Sequence, residues 1–587
     1  MMNKTLFFPL LVCMFLRVPF SMGQTLFSEE ALTRGISATT DPMFYGSGVS
    51  FYDWDKDGWP DISYCVTGEA PRFFHNEQGN FVEVQFNIPN VNGEAKQLLW
   101  VDYDNDGDAD LFLTRSFGPW SLYQNNGNFL FSNVTSSVGM FQAPGPFPPH
   151  TIGAACADIN RDGFLDFYIC NYHGPDSVIT NLMFLNNAGT SFTEIAESAG
   201  IDDGYKVSFM PAFFDADMDG WPDLHVINDR YPYPNTFYRN NGDLTFTDET
   251  ETSGLGIYID AMSNSPGDYD NDGDLDMYET NSVASTPVNP GGNFLFNNDG
   301  EGNFTIVSEE TDTAVKVWIF SWGAQWIDQD SDGYLDLFVA TSGNDDLAPI
   351  FSNHFASNNT DGTFQYQADS GFESSIGRTY AVAAADFDND GASDLALSCK
   401  APYRNELWRN NSTGHTYIKL SLEGTVSNRD AVGASVYCYT NGMQQLRHTM
   451  CGEAYLAQNS QYILFGLNGA ATVDSLVVRW PSGMVEKVYD VPANQTIHLV
   501  EGSMPVGVEI WRSPENCPIR LHHNTVFVLR ELNALRVVNQ LGQEVIVLTR
   551  LPDQRSVELG HLDSGIYFIQ WTDANGTVGT VPFSKTR

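Results

Sequence analysis

Beyond its first two dozen residues the chain has no run of 18 uninterrupted apolar residues, the length a membrane-spanning helix needs, so no transmembrane segment is expected. Basic residues are scarce: 29 Lys and Arg stand against 74 Asp and Glu, a net charge of −45. No basic stripe is left to neutralise phosphates, which argues against a nucleic-acid partner. Cysteines are few. Cys13 lies in the N-terminal apolar run, and Cys65, Cys156, Cys170, Cys399, Cys438, Cys451 and Cys517 are scattered without paired metal-ligand spacing. Buried thiols are expected rather than a disulfide framework, with a Cys156–Cys170 bridge left open. Motifs that name a reaction are also missing. His150, His173, Lys400 and Arg404 fall on variable loops, and no spacing links them to a nucleophile or an open metal site.

What is abundant is Asp, at fixed spacing. The stretch "DYDNDGDADL" from Asp102 places five carboxylates within nine residues. Two such charges about 4–5 Å apart repel by roughly 3–4 kcal/mol at an effective dielectric near 20, which no ordinary turn requires. Alternate Asp residues bounded by Gly instead suit Ca²⁺, a hard cation that takes six to eight oxygen ligands in irregular geometry. The pattern recurs as "DWDKDGWPDI" from Asp53, "DINRDGFLDF" from Asp158, "DADMDGWPDL" from Asp215, "DYDNDGDLDM" from Asp268, "DQDSDGYLDL" from Asp328 and "DFDNDGASDL" from Asp386. Seven copies about 50–60 residues apart mean that one supersecondary unit is repeated.

Each acidic loop is flanked by short apolar runs such as "GAACAD" before and "LDFYIC" after, which read as strands A and B of a hairpin. An aromatic strand and an Asn/Gly turn follow, as in "LYQNNGNFLF" and "FYRNNGDLTF", giving strands C and D. Seven four-stranded units make a seven-bladed β-propeller, in which radial repetition protects the sheet edges. An EF-hand array fails, because its twelfth loop position should carry a bidentate Glu between helices. That position is Tyr64, Leu113, Ile169, Val226, Val339 and Leu397 in six repeats, and Glu279 only in the fifth.

The loops resemble the calcium-binding "DxDxDGxxD" loops of FG-GAP (VCBS-type) propeller repeats, over residues 40–413. The resemblance implies about seven Ca²⁺ ions. Their ligands would be Asp53, Asp55, Asp57 and Asp61; Asp102, Asp104, Asp106 and Asp110; Asp158, Asn160, Asp162 and Asp166; Asp215, Asp217, Asp219 and Asp223; Asp268, Asp270, Asp272 and Asp276; Asp328, Asp330, Asp332 and Asp336; and Asp386, Asp388, Asp390 and Asp394. The Gly at the sixth position, Gly58 to Gly391, lets each loop fold back through a conformation open to glycine. Asn160 should make the third site weaker.

Residues 414–502 resemble the ASPIC/UnbV domain, through "NRDAVGASV", "YLAQNSQYILFGLN" and the Trp480-Pro481-Ser482-Gly483 stretch. Read without that likeness, they form a small β-rich domain with an Asn-Gly hairpin at "YTNGM". Residues 512–587, after a linker at 503–511, resemble a type A sorting domain of type IX secretion, expected as a C-terminal β-sandwich. Residues 1–23 read as a signal peptide: Lys4, an apolar run from Leu6 to Leu16, then Ser21 and Gly23. The fold expected is all-β. The role expected is a secreted or cell-surface calcium-binding protein that uses the type IX secretion machinery and recognises an extracellular glycan or protein ligand. A calcium-dependent polysaccharide lyase and a structural scaffold are the alternatives. Recognition is expected on the B–C and D–A loops opposite the acidic ones, where Trp120, Tyr172, Tyr231 and Tyr233 offer aromatic surface.

Overall fold

The computed structural model describes residues 25–503 except 41–44, 91–92, 142–149, 173–178, 283–290, 309–313, 343–351 and 376, together with seven strands and Leu559 between 519 and 585. The leader at 1–23, His173 and most of the linker at 503–511 lie outside the described residues.

Seven antiparallel sheets form the blades. Strand A of each is buried on both faces: Val49–Tyr52, Glu94–Val101, Thr151–Ala157, Ser208–Phe214, Ala261–Gly267, Ser321–Ile327 and Thr379–Ala385. These innermost strands touch one another in order, and the seventh touches the first, so the ring is closed. Strand B begins in every blade on the ninth residue of the acidic loop, from Asp61 to Asp394. Strand C ends in every blade on an Asn, from Asn76 to Asn410. Strand D begins in every blade on a Phe. In blade 7 that Phe is Phe27, because the N-terminal strand Phe27–Glu29 pairs antiparallel with Glu406–Asn410 and supplies the fourth strand. The last blade therefore joins the two ends of the propeller, and the edges left in each blade are its short outer D strands.

The Cys156–Cys170 bridge that the sequence left open does not form, and the buried thiols it favoured are found. The six described cysteines are free and buried. Cys170 lies among blade-core side chains, whereas Cys156 bridges to Cys451, its N–H donating to the Cys451 carbonyl at 2.9 Å.

Residues 417–500 fold into two sheets around Ile418, Val436, Leu476 and Trp480, with the hairpin at Asn441-Gly442 joining Ser435–Thr440 to Met443–His448. One segment of this domain leaves its own core and enters the propeller axis. Ala457–Gln458 pairs in parallel with Val49–Ser50, and Trp100 N–H donates to Gln458 Oε1 while Gln458 Nε2 donates to the Trp100 carbonyl, both at 2.8 Å. Tyr455 packs against Phe209 and Trp322, with ring centroids 5.6 and 5.1 Å away. Tyr455, Leu456 and Ala457 are fully buried there, and an apolar side chain of Leu size gains about 1.5–3 kcal/mol on full burial. The domain is anchored through the hole of the ring, on the side of the acidic loops. Further on, seven strands between Ile519 and Lys585 form two antiparallel sheets, of three and four strands.

Candidate functional site

All seven acidic loops share one backbone path. The sixth-position glycines have φ between 88° and 99°, where a Cβ is strained, as their place in the sequence requires. The fourth position is also left-handed in every loop, although it holds Lys56, Asn105, Arg161, Met218, Asn271, Ser331 and Asn389. In six loops the first Asp accepts the sixth-position N–H through Oδ2, as Asp102 does from Gly107 at 2.9 Å. The ninth Asp spans the hairpin. Asp166 Oδ1 accepts Asn186 N–H at 2.7 Å and its Oδ2 accepts Ile159 N–H at 3.0 Å, and the same pair recurs in every blade. This ninth carboxylate therefore fixes the A–B hairpin against strand C, a role that the reading as a metal ligand alone missed.

Carboxylate oxygens of the first, third and ninth residues converge within 4.8 Å of one another in blades 1, 2, 4 and 5. Burial pushes the Asp102, Asp215, Asp268 and Asp328 carboxyls up to about 7, and Asp61 and Asp110 to about 9. Crowding by neighbouring carboxylates adds to this. Oδ1 of Asp102, Asp215, Asp268 and Asp328 is buried and meets no hydrogen-bond donor in the protein. A buried acceptor left unmatched costs about 1–3 kcal/mol, more when charged. A divalent cation fits this donor set: it would satisfy the orphan oxygen and reverse the cost of crowding the carboxylates.

The loops differ in which cations the protein itself supplies. The strand C residue just before the conserved Asn points at the loop, and it is Gln124 in blade 2, whose Nε2 donates to Asp104 Oδ2 at 2.7 Å. In blade 4 the equivalent residue is Arg239, 2.7 Å from Asp217 and 3.3 Å from Asp223. In blade 7 it is Arg409, 2.6 Å from Asp388 and also paired with Asp390, while Lys419 lies 3.1 Å from Asp386. In blade 1 it is His75, 3.0 Å from Asp61. In blade 2 Arg429 of the C-terminal domain also lies 4.0 Å from Asp102; among the described residues no Lys, Arg or His comes within 4 Å of a loop carboxylate in blades 3, 5 and 6, although the charge of buried Arg447 acts on Asp268 and Asp328.

Two further sets of contacts escaped the sequence. The strand C Asn side chains staple neighbouring blades: Asn186 Nδ2 donates to the Tyr103 carbonyl at 2.8 Å, Asn240 to Ile159, Asn298 to Ala216, Asn358 to Tyr269, Asn410 to Gln329 and Asn76 to Phe387. The fourth loop residue then reaches forward to the next loop's glycine carbonyl, from Lys56 to Gly107, Asn105 to Gly163, Arg161 to Gly220, Asn271 to Gly333 and Asn389 to Gly58. Met218 has no donor for this contact.

The C-terminal domain covers the acidic face. Tyr462 O–H donates to Asp53 at 2.6 Å, Asp430 accepts Asp102 N–H at 2.9 Å, and Leu446 N–H donates to Asp268 at 3.2 Å. Asn468 N–H donates to the Ser331 carbonyl at 2.9 Å, and Lys419 reaches Asp386. The Val426 carbonyl sits against Gly163, where a Cβ would come within 2.6 Å of it.

On the opposite face Trp120 is buried, contrary to expectation, because its Nε1–H donates to the Met140 carbonyl at 3.1 Å inside blade 2. Tyr233 is half-buried, while Tyr231 is 60 % exposed with Tyr258 beside it, centroids 6.1 Å apart. Tyr172 joins a cluster that the sequence did not connect. Its hydroxyl lies 2.5 Å from Asp229 and 2.7 Å from Arg230, and Asp229 and Arg230 pair at 2.6 Å. His150 stacks on Phe117 at 4.6 Å and meets the Tyr172 ring edge-on. Tyr45, Phe117 and Arg230 all have left-handed backbones, at φ 57°, 58° and 89°. Lys400 and Arg404 do not join this cluster.

The FG-GAP-like repeat description matches residues 53–113, 102–169, 158–226, 215–278 and 328–397, together about half of the chain, and the ASPIC and UnbV description matches residues 424–505. Cartilage acidic protein 1 of Xenopus tropicalis is 28% identical over 187 residues, 30% of this chain and 26% of that protein. Its Mus musculus counterpart is 36% identical over 67 residues, 11% of this chain and 10% of that one. The matched segments thus span about a quarter or less of those relatives. Among solved structures, the extracellular domain of a putative hybrid two component system from B. thetaiotaomicron is 12% identical, with 95% of this chain and 65% of that one covered at a TM-score of 0.39. The V. cholerae biofilm matrix protein Bap1 is 12% identical, with 96% and 84% covered at a TM-score of 0.30.

Proposed function

The chain belongs to the FG-GAP-like repeat proteins and carries an ASPIC and UnbV domain behind its propeller; from this we propose that it is an exported calcium-binding protein that recognises an extracellular glycan or protein ligand. The observation that carries the calcium part is the set of buried Oδ1 atoms of Asp102, Asp268 and Asp328 that no donor reaches; Asp215 Oδ1 is orphaned too, but in a loop that Arg239 enters. Blades 1, 2, 3, 5 and 6 hold Ca²⁺. In blades 4 and 7 Arg239 and Arg409 already sit among the carboxylates, so the count is five rather than the seven that the loop pattern suggests. Calcium stiffens the loops on which the C-terminal domain rests.

Recognition is supported by the cluster of Phe117, His150, Tyr172, Asp229 and Arg230 on the opposite face. Left-handed backbones at non-glycine residues cost about 1–3 kcal/mol each and gather where function holds them in place. Aromatic rings beside an ion pair bind sugar rings or peptide side chains on a rigid scaffold. Among the described residues no helix is long and apolar enough to cross a membrane. The leader at 1–23 directs export, and the sheets of residues 519–585 serve as the address for the type IX route. The test screens the purified full-length protein in calcium against immobilised glycans and peptides, alongside the Phe117→Ala and Arg230→Gln variants. Ligand capture lost in both variants, with melting unchanged, supports the reading. A screen with no captured ligand, or capture unaffected by either change, contradicts it.

A further inference from the structure

One acidic loop is not covered. The C-terminal domain hydrogen-bonds loops 1, 2, 5, 6 and 7 and packs its backbone on loop 3. At loop 4, among the described residues, it makes no hydrogen bond and leaves a cleft of about 590 Å³, inside the usual range for small-molecule sites. One wall is the loop itself, with Asp215, Met218, Asp219 and Gly220. The other is the outer face of the domain's four-stranded sheet, with Tyr437, Tyr439, Ser475, Arg479 and Lys487.

We propose that this cleft is a second binding site and that it takes a neutral saccharide. The chemistry of the two walls selects that class. Asp215 is 7% exposed, its Oδ2 accepts Gly220 N–H at 2.9 Å, and its Oδ1 is buried without a donor. Arg239 already counters Asp217 and Asp223 in this loop and Asp215 is buried, so exposed Asp219 is the acceptor on the cleft side, beside Arg161, whose Nε and Nη2 donate to the Gly220 and Asp219 carbonyls at 3.1 Å. Opposite them, Arg479 and Lys487 are exposed donors that form no ion pair among the described residues. Both signs of charge line the cleft: an anionic ligand would meet Asp219, and a cationic one Arg161, Arg479 and Lys487. A chain of hydroxyls both donates and accepts, and satisfies the two at once. Tyr437 and Tyr439 lie nearly parallel, planes 19° apart and centroids 6.5 Å apart. Arg479 stacks on Tyr437 at 5.1 Å, and half-buried Tyr439, packed on one side against the apolar cluster around Tyr437, offers the rest of its ring to the apolar C–H face of a sugar. Met218, which cannot make the loop-to-loop hydrogen bond, extends that apolar floor.

The site goes beyond the recognition surface proposed above, on the other side of the propeller, and the test separates the two. The full-length protein in calcium is titrated with cellohexaose, xylohexaose, laminarihexaose and mannohexaose, with a heparin-derived hexasaccharide and a glutamate-rich peptide as charged probes. Binding is followed by calorimetry and saturation-transfer NMR. The expected result is saturable binding of at least one neutral chain, weakened about tenfold or more in both Tyr439→Ala and Arg479→Gln. Arg479 is exposed, so its variant should melt like the parent; Tyr439 also packs against the apolar cluster around Tyr437, so its variant is titrated well below its own melting temperature. No neutral chain bound, binding only of the charged probes, or affinity unchanged in both variants overturns the proposal. Loss confined to Phe117→Ala also overturns it, and leaves the opposite-face reading standing.

Discussion

Loops 2 and 4 follow the same spacing, Asp102 to Asp110 and Asp215 to Asp223, and trace the same backbone, yet their surroundings make them different objects. Loop 2 faces Gln124 and is closed over by Asp430 and Arg429 of the C-terminal domain. Loop 4 faces Arg239, and the domain stands back from it. Their fourth residues also differ, since Asn105 donates to the next loop and Met218 has nothing to donate. Four carboxylates at a given spacing therefore specify a loop shape. On the function proposed above, which cation fills it, a metal ion or a guanidinium, depends on the strand C residue that faces it, which lies outside the pattern.

The largest expected effect comes from removing calcium everywhere. An ion that binds the folded loops contributes roughly 2.7 kcal/mol per site at a hundredfold excess over Kd, and several sites together rival the typical 5–15 kcal/mol of a whole protein. Scanning calorimetry in chelator should show the propeller melting at least about 10 °C lower than in millimolar calcium. A shift of a degree or two would mean that loops like loop 2 are filled no differently from loop 4.

Substitutions in the two loops come next. Asp102→Asn removes a ligand from a metal-filled loop and should cost roughly 2–3 kcal/mol in calcium, with one ion fewer bound. Asp215→Asn removes a charge from an arginine-filled loop and should change stability by less than about 1 kcal/mol, with the ion count unchanged. Urea denaturation of both variants in calcium checks this; equal losses would erase the contrast.

Acidity gives a smaller but signed effect. Asp102, Asp268 and Asp328 are pushed up to about 7 by burial and crowding, above an unfolded value near 4. The folded, calcium-free protein then holds more protons than the unfolded chain, so its stability falls as pH rises from about 4 through about 7. In chelator, melting should be higher at about pH 5.5 than at about pH 8. In saturating calcium the order should reverse, because protons compete with the ion for the same oxygens. Parallel curves in the two conditions would contradict the assignment of these oxygens to a metal.

The ring of blades was legible because its signals are local. The glycine at the sixth position, the Asn-Gly turn and the apolar flanks all act within a dozen residues, and the left-handed glycines and the Asn-terminated C strands follow from them. The residues that tune each loop act across the fold. Asn186 reaches Tyr103, 83 positions away, and Gln458 reaches Trp100 across 358. Neither partner carries a mark in the sequence, since an Asn in a turn looks the same whether its amide faces solvent or the next blade. Trp120 was misplaced for a related reason. A loop Trp reads as surface, but the path from strand B to strand C turns it under Met140. The axial plug from Tyr455 to Gln458 was hidden in the same way, within a stretch that reads as an ordinary strand of a separate domain.

The central claim, that Arg239 and Arg409 stand where a metal ion stands in the other blades, is tested most directly by counting bound calcium in the full-length protein and in the Arg239→Gln variant. The protein is dialysed against millimolar calcium, desalted into calcium-free buffer and measured by elemental analysis against protein concentration. The account predicts about five ions in the parent and about one more in the variant, because the glutamine restores at loop 4 the arrangement that Gln124 makes at loop 2. Seven ions in the parent, with the same number in Arg239→Gln, would contradict it.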